Sequence, residues 1–440
     1  MTCPIEIPPS FSRRAFHGAA AAGTAAAAIA TRRSQADSPR SAGPPQGQAE
    51  HCILIWLGGG MCHVDTFDPK VVGDPLKNKA GSAYPSIATA VADVRICEHL
   101  RQTAGVLDRG VLIRSLHHPL KVDHADSTNL MKTGRLTSGT VIYPSLGSLV
   151  SHQRGPTEKG IPPYLVMGYP NVTRGPGFLG TRYGYLYLTD VQAGPTGLQA
   201  ARDVPPQRQR HRNALLDVLR RGVRARAKGD ATLKAYDASI EEARSLMSGR
   251  FAGVFDLDRE QASTRERYGS SFGQRCLLAR RLVTAGVRFV EVAYDLNFKN
   301  GTGWDTHRHG QERQHELIQD LDRSLSTLVQ DLDQRRLLDR TLVVVATEFG
   351  RPAEFDGQGG RGHQSAAFSV ALFGGGLKTG QVVGSTDDMG AKIVERPVGV
   401  PDLHATILCT LGIDPTRELY DGDRPIPITN HGQPLVDLFA

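Results

Sequence analysis

Short apolar runs closed by glycine alternate along this chain with longer stretches whose apolar residues recur every three or four positions. The first run, His51 to Leu57, stops at Gly58-Gly59-Gly60; its length and glycine stop predict a buried strand. Val111 to Ser115, Val287 to Ala293 (VRFVEVA), Thr341 to Thr347 (TLVVVAT) and Phe368 to Phe373 predict four more, with the β-branched residues that suit a pleated surface. Between them the period changes. Gln311 to Leu338 puts Leu317, Ile318, Leu321, Leu325, Leu328, Val329 and Leu332 on one helical stripe. Ser271 to Ala285 predicts a helix stopped by Gly286, and Pro401 to Leu411 one that opens on proline and ends at Gly412. This alternation predicts an α/β fold with a mostly parallel sheet covered by helices on both faces. The polar, Arg-rich stretch from about Gly194 to Arg267 reads as a helical insertion over that sheet.

Composition narrows the class without changing the fold. The chain has 440 residues, 40% hydrophobic and 22% charged, which fits a globular protein and excludes a disordered or collagen-like one. Length alone allows two or three domains, but an α/β enzyme can spend this much chain on one sheet, and residues 51–440 read as a single domain. The net charge of +7, from 52 basic against 45 acidic residues, is small for the length and carries no block of like charges, so a nucleic-acid partner is not expected. The six cysteines form no C-x-x-C pair, which excludes a zinc ribbon or thioredoxin-like motif. No apolar run after residue 50 approaches the length of a membrane span.

The amino terminus reads as an address. Ser12-Arg13-Arg14-Ala15-Phe16-His17 precedes an alanine-rich run from Gly18, and Ala28-Ile29-Ala30 supplies an A-x-A cleavage pattern. Paired arginines before a weakly apolar stretch predict a twin-arginine export signal over residues 1–30, hence a periplasmic or extracellular protein. Residues 31–50 read as a flexible linker.

In an open α/β sheet, ligands bind beyond the carboxyl ends of the strands. Each strong strand here is followed there by metal-ligating residue types. Asp65 follows the first, Asp305 and His307 the third, Glu348 the fourth, and a glycine-rich loop then leads to His363. Carboxylate with imidazole is the ligand set of zinc, manganese or iron. Each residue also has a plainer reading: Asp65 as a turn cap, Glu348 paired with Arg351 on the surface, His307 as a solvated loop residue. Four such sites at strand ends strengthen the joint case. Ser115 to Arg135 adds a predicted helix from His124 to Thr133, stopped by Gly134. His118, Lys121 and His124 converge on its N-terminus as an anion site in one reading; in the other, Asp123 merely caps the helix. Gly269-Ser270-Ser271-Phe272-Gly273 fits G-x-S-x-G, but the residues before it are polar and helix-like where a nucleophile elbow needs a strand.

LGGGMCHVDTFDPK, TGRLTSGTVIYPSLGSLVSH, YGSSFGQRCLLARRLVTAGVRFVEV, GWDTH, TLVVVATEFGR and FGGGLKTGQVVGSTD, in that order from about residue 50 to 415, resemble the family catalogued as domain of unknown function 1501. That family is similar to the alkaline phosphatase and sulfatase superfamily. The resemblance implies an alkaline-phosphatase-like sheet with one or two divalent metals at its carboxyl edge, and export by twin-arginine signals. By the same resemblance Asp65 stands as the first-strand ligand, Asp305 and His307 as the later aspartate–histidine ligands, Glu348 where the superfamily has an aspartate, and His363 as the last histidine ligand. Two positions depart from the pattern. Sulfatases start a helix with Cys or Ser nine residues before the threonine of T-G-R, where this chain has His124; Ser127 and Thr128 lie one turn further in. The family's Asp before the last histidine is Gly362 here.

The expected function is therefore an exported metal-dependent hydrolase of phosphate or sulfate esters. The expected cofactor is a divalent metal, zinc first, with manganese, magnesium or calcium as alternatives. His124 is its expected ligand, base or nucleophile, with His118 and Lys121 on the anion of a small ester substrate. The alternatives are a non-catalytic exported binding protein that keeps the fold and a metal, and a serine hydrolase using Ser271.

Overall fold

A computed structural model describes residues 45–439, apart from 121–122, 169–174, 192–193, 195–203, 227–228, 249, 295–302, 308–309 and 358. The expected export signal, most of the expected linker and Lys121 lie outside the described residues. In chain order the strands are β1 (His51–Trp56), β2 (Ser86–Ala88), β3 (Arg95–Cys97), β4 (Gly110–His117), β5 (Tyr164–Met167), β6 (Leu186–Leu188), β7 (Phe289–Ala293), β8 (Thr341–Ala346), β9 (Phe368–Gly374), β10 (Gln381–Val383), β11 (Ser385–Thr386), β12 (Ile393–Glu395), β13 (Val398–Gly399), β14 (Glu418–Asp421) and β15 (Arg424–Pro427). The helices are α1 (Arg101–Ala104), α2 (His124–Thr133), α3 (Leu146–Arg154), α4 (Pro206–Arg226), α5 (Ala231–Ser248), α6 (Ala262–Tyr268), α7 (Ser271–Thr284), α8 (Gly310–Gln334) and α9 (Val400–Thr410).

One nine-stranded sheet runs in the order β10-β4-β9-β8-β1-β7-β5-β6, with β13 also on β4. β1 lies between β7 and β8 in parallel register, Ile53 opposite both Val290 and Val343. Within the sheet only β9 runs antiparallel to its neighbours, β8 and β4. Both faces are covered, so the central strands are buried on every residue. Ile53, Ile55, Val343 and Val345 pack into one core with Leu317, Leu321 and Leu325 of α8 and Leu278 and Leu282 of α7. The alternate residues Cys52, Leu54, Leu342 and Val344 pack into the other core with Leu403 and Ile407 of α9 and Leu149 of α3.

Local chemistry sets the ends. Asp123 caps α2 by accepting from the Ala125 and Asp126 N–H groups, and Gly134 closes it at φ +71°. All seven residues of the predicted stripe on α8 are fully buried. The last residues assigned to the linker are packed: Gly47 and Ala49 donate to the Cys409 and Thr410 carbonyls at the end of α9. Among the described residues of the expected insertion, α4 and α5 pair through Arg220, Arg224 and Asp237. No helix of the described residues is long and apolar enough to cross a membrane.

Candidate metal centre

Four loops meet at the carboxyl ends of β1, β4, β7 and β8. The β1 loop is the platform. Gly59 has φ +115°, and a Cβ there would stand 2.3 Å from the Asp305 amide, so only glycine lets the 303–307 loop lie across it. Trp304 N–H donates to Gly58 O, and Gly59 N–H donates to Glu348 Oε1 at 2.7 Å.

The cluster itself is compact. Asp305 Oδ1 lies 3.0 Å from His307 Nε2 and 3.2 Å from His363 Nε2, and the two histidine nitrogens are 2.9 Å apart. His124 brings Nε2 to 3.6 Å from Asp305 Oδ2. His124, Asp305 and His363 offer ligand atoms that all lie within 4.8 Å of one another. Burial opposes the charge on Asp305, yet His124, His363 and Arg351 hold its carboxyl well below the usual range. Burial holds His307 below its ordinary value. Burial also disfavours charge on His124, but the Asp305 and Glu348 carboxylates on either side of its ring outweigh that and raise it to about 9.

Glu348 stands behind His124 instead of beside the other ligand candidates. Its Oε1 meets His124 Nδ1 at 2.8 Å, and its Oε2 accepts from the Thr347 hydroxyl at 3.1 Å. A carboxylate on one ring nitrogen fixes the ring and directs the other nitrogen outward. Helix α2, which carries His124, is moored at its far end. Lys132 pairs with buried Glu291 of β7 at 2.6 Å and lies 3.9 Å over the Trp56 ring, and His404 of α9 bonds Met131 O at 2.8 Å.

Glu348, Asp65 and His118 all leave the roles expected of them. Asp65 is fully buried, and its two oxygens accept from Arg361 at 2.9 and 3.0 Å and from Ala83 N–H at 2.7 Å. A guanidinium therefore takes the place the sequence reading gave to a metal. Arg361 meets five acceptors with its five N–H donors: the two Asp65 oxygens and the carbonyls of Gly81, Pro352 and Ala353. His118 is 4% exposed and its Nε2 bonds Glu348 O at 2.9 Å, so it supports the end of β8 rather than facing an anion. Arg351, which the plainer reading paired with Glu348 on the surface, is buried and pairs with Asp305, while also holding the Gly59, Gly60 and Arg361 carbonyls. The candidate hydroxyls are withdrawn: Ser127 and Thr128 are buried within α2. The Cys62 thiol is fully buried, and burial pushes it well above its ordinary value. Ser271 opens α7 directly after α6, with no strand before it.

The donor set fits a divalent cation. Ligand atoms around a tetrahedral zinc stand about 3.4 Å apart, close to the spacing of Asp305 Oδ1, His307 Nε2 and His363 Nε2. His124 Nε2 is a buried nitrogen without a hydrogen-bond partner, aimed at the same carboxylate. The two arginines were the functional residues missed in the sequence. Both follow a glycine near a candidate ligand, but nothing in that spacing says which carboxylate a guanidinium meets.

A family model described as "Protein of unknown function (DUF1501)" matches residues 49–439. Among solved structures, the chain is similar to a sulfatase from Pseudoalteromonas sp., with 14% identity over 90% of this chain and 73% of that one, at a TM-score of 0.43. A phosphonate monoester hydrolase from Silicibacter pomeroyi gives 13% identity, 89% and 77% coverage and a TM-score of 0.39. A protein in the alkaline phosphatase superfamily from Vibrio parahaemolyticus gives 10%, 84% and 69%, and 0.38. No match was found among curated proteins.

Proposed function

The chain belongs to the DUF1501 family, and from that premise we propose that it is an exported, metal-dependent hydrolase of phosphate or sulfate esters. The observation that carries this reading is the meeting of Asp305, His307 and His363 with the buried, partnerless Nε2 of His124, from stretches of chain far apart in sequence. Asp305, His363, His307 and His124 are the proposed ligands of one divalent ion, zinc first, because imidazole with carboxylate suits it. Lewis-acid polarisation of an ester oxygen is the chemistry such an ion supplies when bound. The chain's own residues do the positioning. Glu348 holds His124 through Nδ1, Arg351 holds Asp305, and the two half-exposed rings of His124 and His307 leave the cluster open to solvent. The export part of the reading is supported by Arg13-Arg14 ahead of the alanine-rich run.

One observation favours a second reading. His124 stands where sulfatases start their helix with a nucleophile, and Glu348 already holds its Nδ1. A binding protein that keeps the metal without turnover accounts for that. Elemental analysis of the purified chain, then a screen of phosphate and sulfate monoesters with and without chelator, separates the two. The hydrolase reading expects about one divalent metal per chain and ester turnover that chelator abolishes. Retained metal without turnover of any ester selects the binding protein; turnover indifferent to chelator and lost in Ser271→Ala selects the serine hydrolase.

A further inference from the structure

Helix α4 is mounted with its polar side against the protein and its apolar side outward. Arg220 is only 7% exposed and bonds Asp237 and Glu241 of α5, Arg224 reaches Asp237, and Asp217 accepts from Arg244. On the opposite side Leu215, Leu219 and Val223 are 62%, 61% and 51% exposed. Leu216 and Val218 flank them, so five of the fourteen large apolar side chains exposed among the described residues lie on this one helix. An amphipathic surface helix ordinarily does the reverse, since burying apolar area is what holds it down.

The charge on α4 is as uneven as its apolarity. It carries seven arginines and one acid, Asp217, which is already engaged by Arg244 and Arg220. Arg208, Arg212, Leu215, Leu219, Val223 and Arg226 succeed one another at spacings of three and four, so they form one stripe with an aliphatic centre and arginine at both ends. Arg210 and Arg221 are exposed on the other side of the helix.

We infer that the outer face of α4 docks onto an anionic phospholipid surface, its Leu215–Leu219–Val223 stripe entering the boundary between headgroups and acyl chains while the arginines reach the phosphates. Aliphatic residues framed by long cationic side chains are what such a boundary recognises, because the arginine stems lie along the apolar layer and the heads stay in the polar one. A second copy is a poor occupant. Antiparallel pairing about a two-fold would set Arg208 and Arg212 against Arg226, and parallel pairing would set each arginine against itself. Nucleic acid would meet the arginines but gain nothing from the aliphatic centre, which lacks the aromatic rings that stack on bases.

The test is co-sedimentation of the full chain with vesicles of phosphatidylglycerol and phosphatidylethanolamine, against vesicles of phosphatidylcholine alone, at low and high salt. Binding is expected to the anionic vesicles, weakened by salt and absent on the neutral ones. Leu215→Asp with Leu219→Asp should reduce it more than tenfold with an unchanged circular dichroism spectrum and metal content. Arg212→Glu and Arg226→Glu keep the aliphatic centre, and each should weaken binding by at least about fivefold, the worth of one basic residue at such a surface. Failure of the unaltered chain to bind anionic vesicles at low salt overturns the inference. So does a concentration-dependent dimer abolished by Leu219→Asp, or an acidic protein ligand that binds α4 while vesicles do not. Ester turnover plays no part in these readouts, so they stand apart from the hydrolase reading.

Discussion

At the scale of single residues, the site is decided by which carboxylate meets which cation. Residue type and position after a strand were enough to single out Asp305, His307, Glu348 and His363, because a parallel sheet delivers its carboxyl ends to one place. What the sequence could not tell was the pairing. Asp65 and Arg361 are 296 positions apart and fully buried together, so neither gives a local signal. Their separate roles make a contrast that urea unfolding and metal titration can read. Asp65→Asn leaves Arg361 buried without its charge partner and should cost about 3–5 kcal/mol of stability while metal stoichiometry stays the same. Glu348→Gln should lower metal affinity by about ten- to a hundredfold, the usual worth of a carboxylate behind a ligating histidine, with little loss of stoichiometry. If Asp65→Asn alone empties the centre, the placement of Asp65 with Arg361 is misread.

At the scale of elements, the strands called from the sequence are those that sit in the middle of the sheet. β1, β8 and β9 are apolar on both faces and stop at turn-forming residues, which is a signal the eye can follow. β5 and β6 escaped because YLVM and LYL are too short to show a period and lie between prolines and glycines. Helix α2 was legible to the residue, from its Asp cap to its Gly stop, but not the mooring that aims it. That mooring titrates. Burial drives the His404 imidazole down to about 4, so the folded chain keeps it neutral where the unfolded chain, near 6.5, takes up a proton. Its contribution is complete above pH 6.5 and fades as the pH falls toward 4, by about 3 kcal/mol at pH 4. The unfolding free energy of His404→Gln, which keeps a donor for Met131 O, should therefore fall less between pH 7 and pH 4 than that of the unaltered chain. An identical fall in both would remove His404 from the account.

At the scale of the whole molecule, the proposed ligands come from three distant stretches, around residues 124, 305 and 363, which only the folded chain assembles. A metal that binds the folded state alone stabilises it by mass action, about 4 kcal/mol at a thousandfold excess over Kd. Scanning calorimetry should show Tm rising with added zinc and falling with chelator; an indifferent Tm would mean that the cluster holds no ion. The lone reversed strand has a consequence of another kind. Because β8 runs toward the centre and β9 runs away from it, residues 347–367 leave and rejoin the sheet at one rim, pinned to its body by Arg351 and Arg361. The excursion returns to the rim it left, so a change in its length would reshape the ground beneath His363 without re-threading a strand.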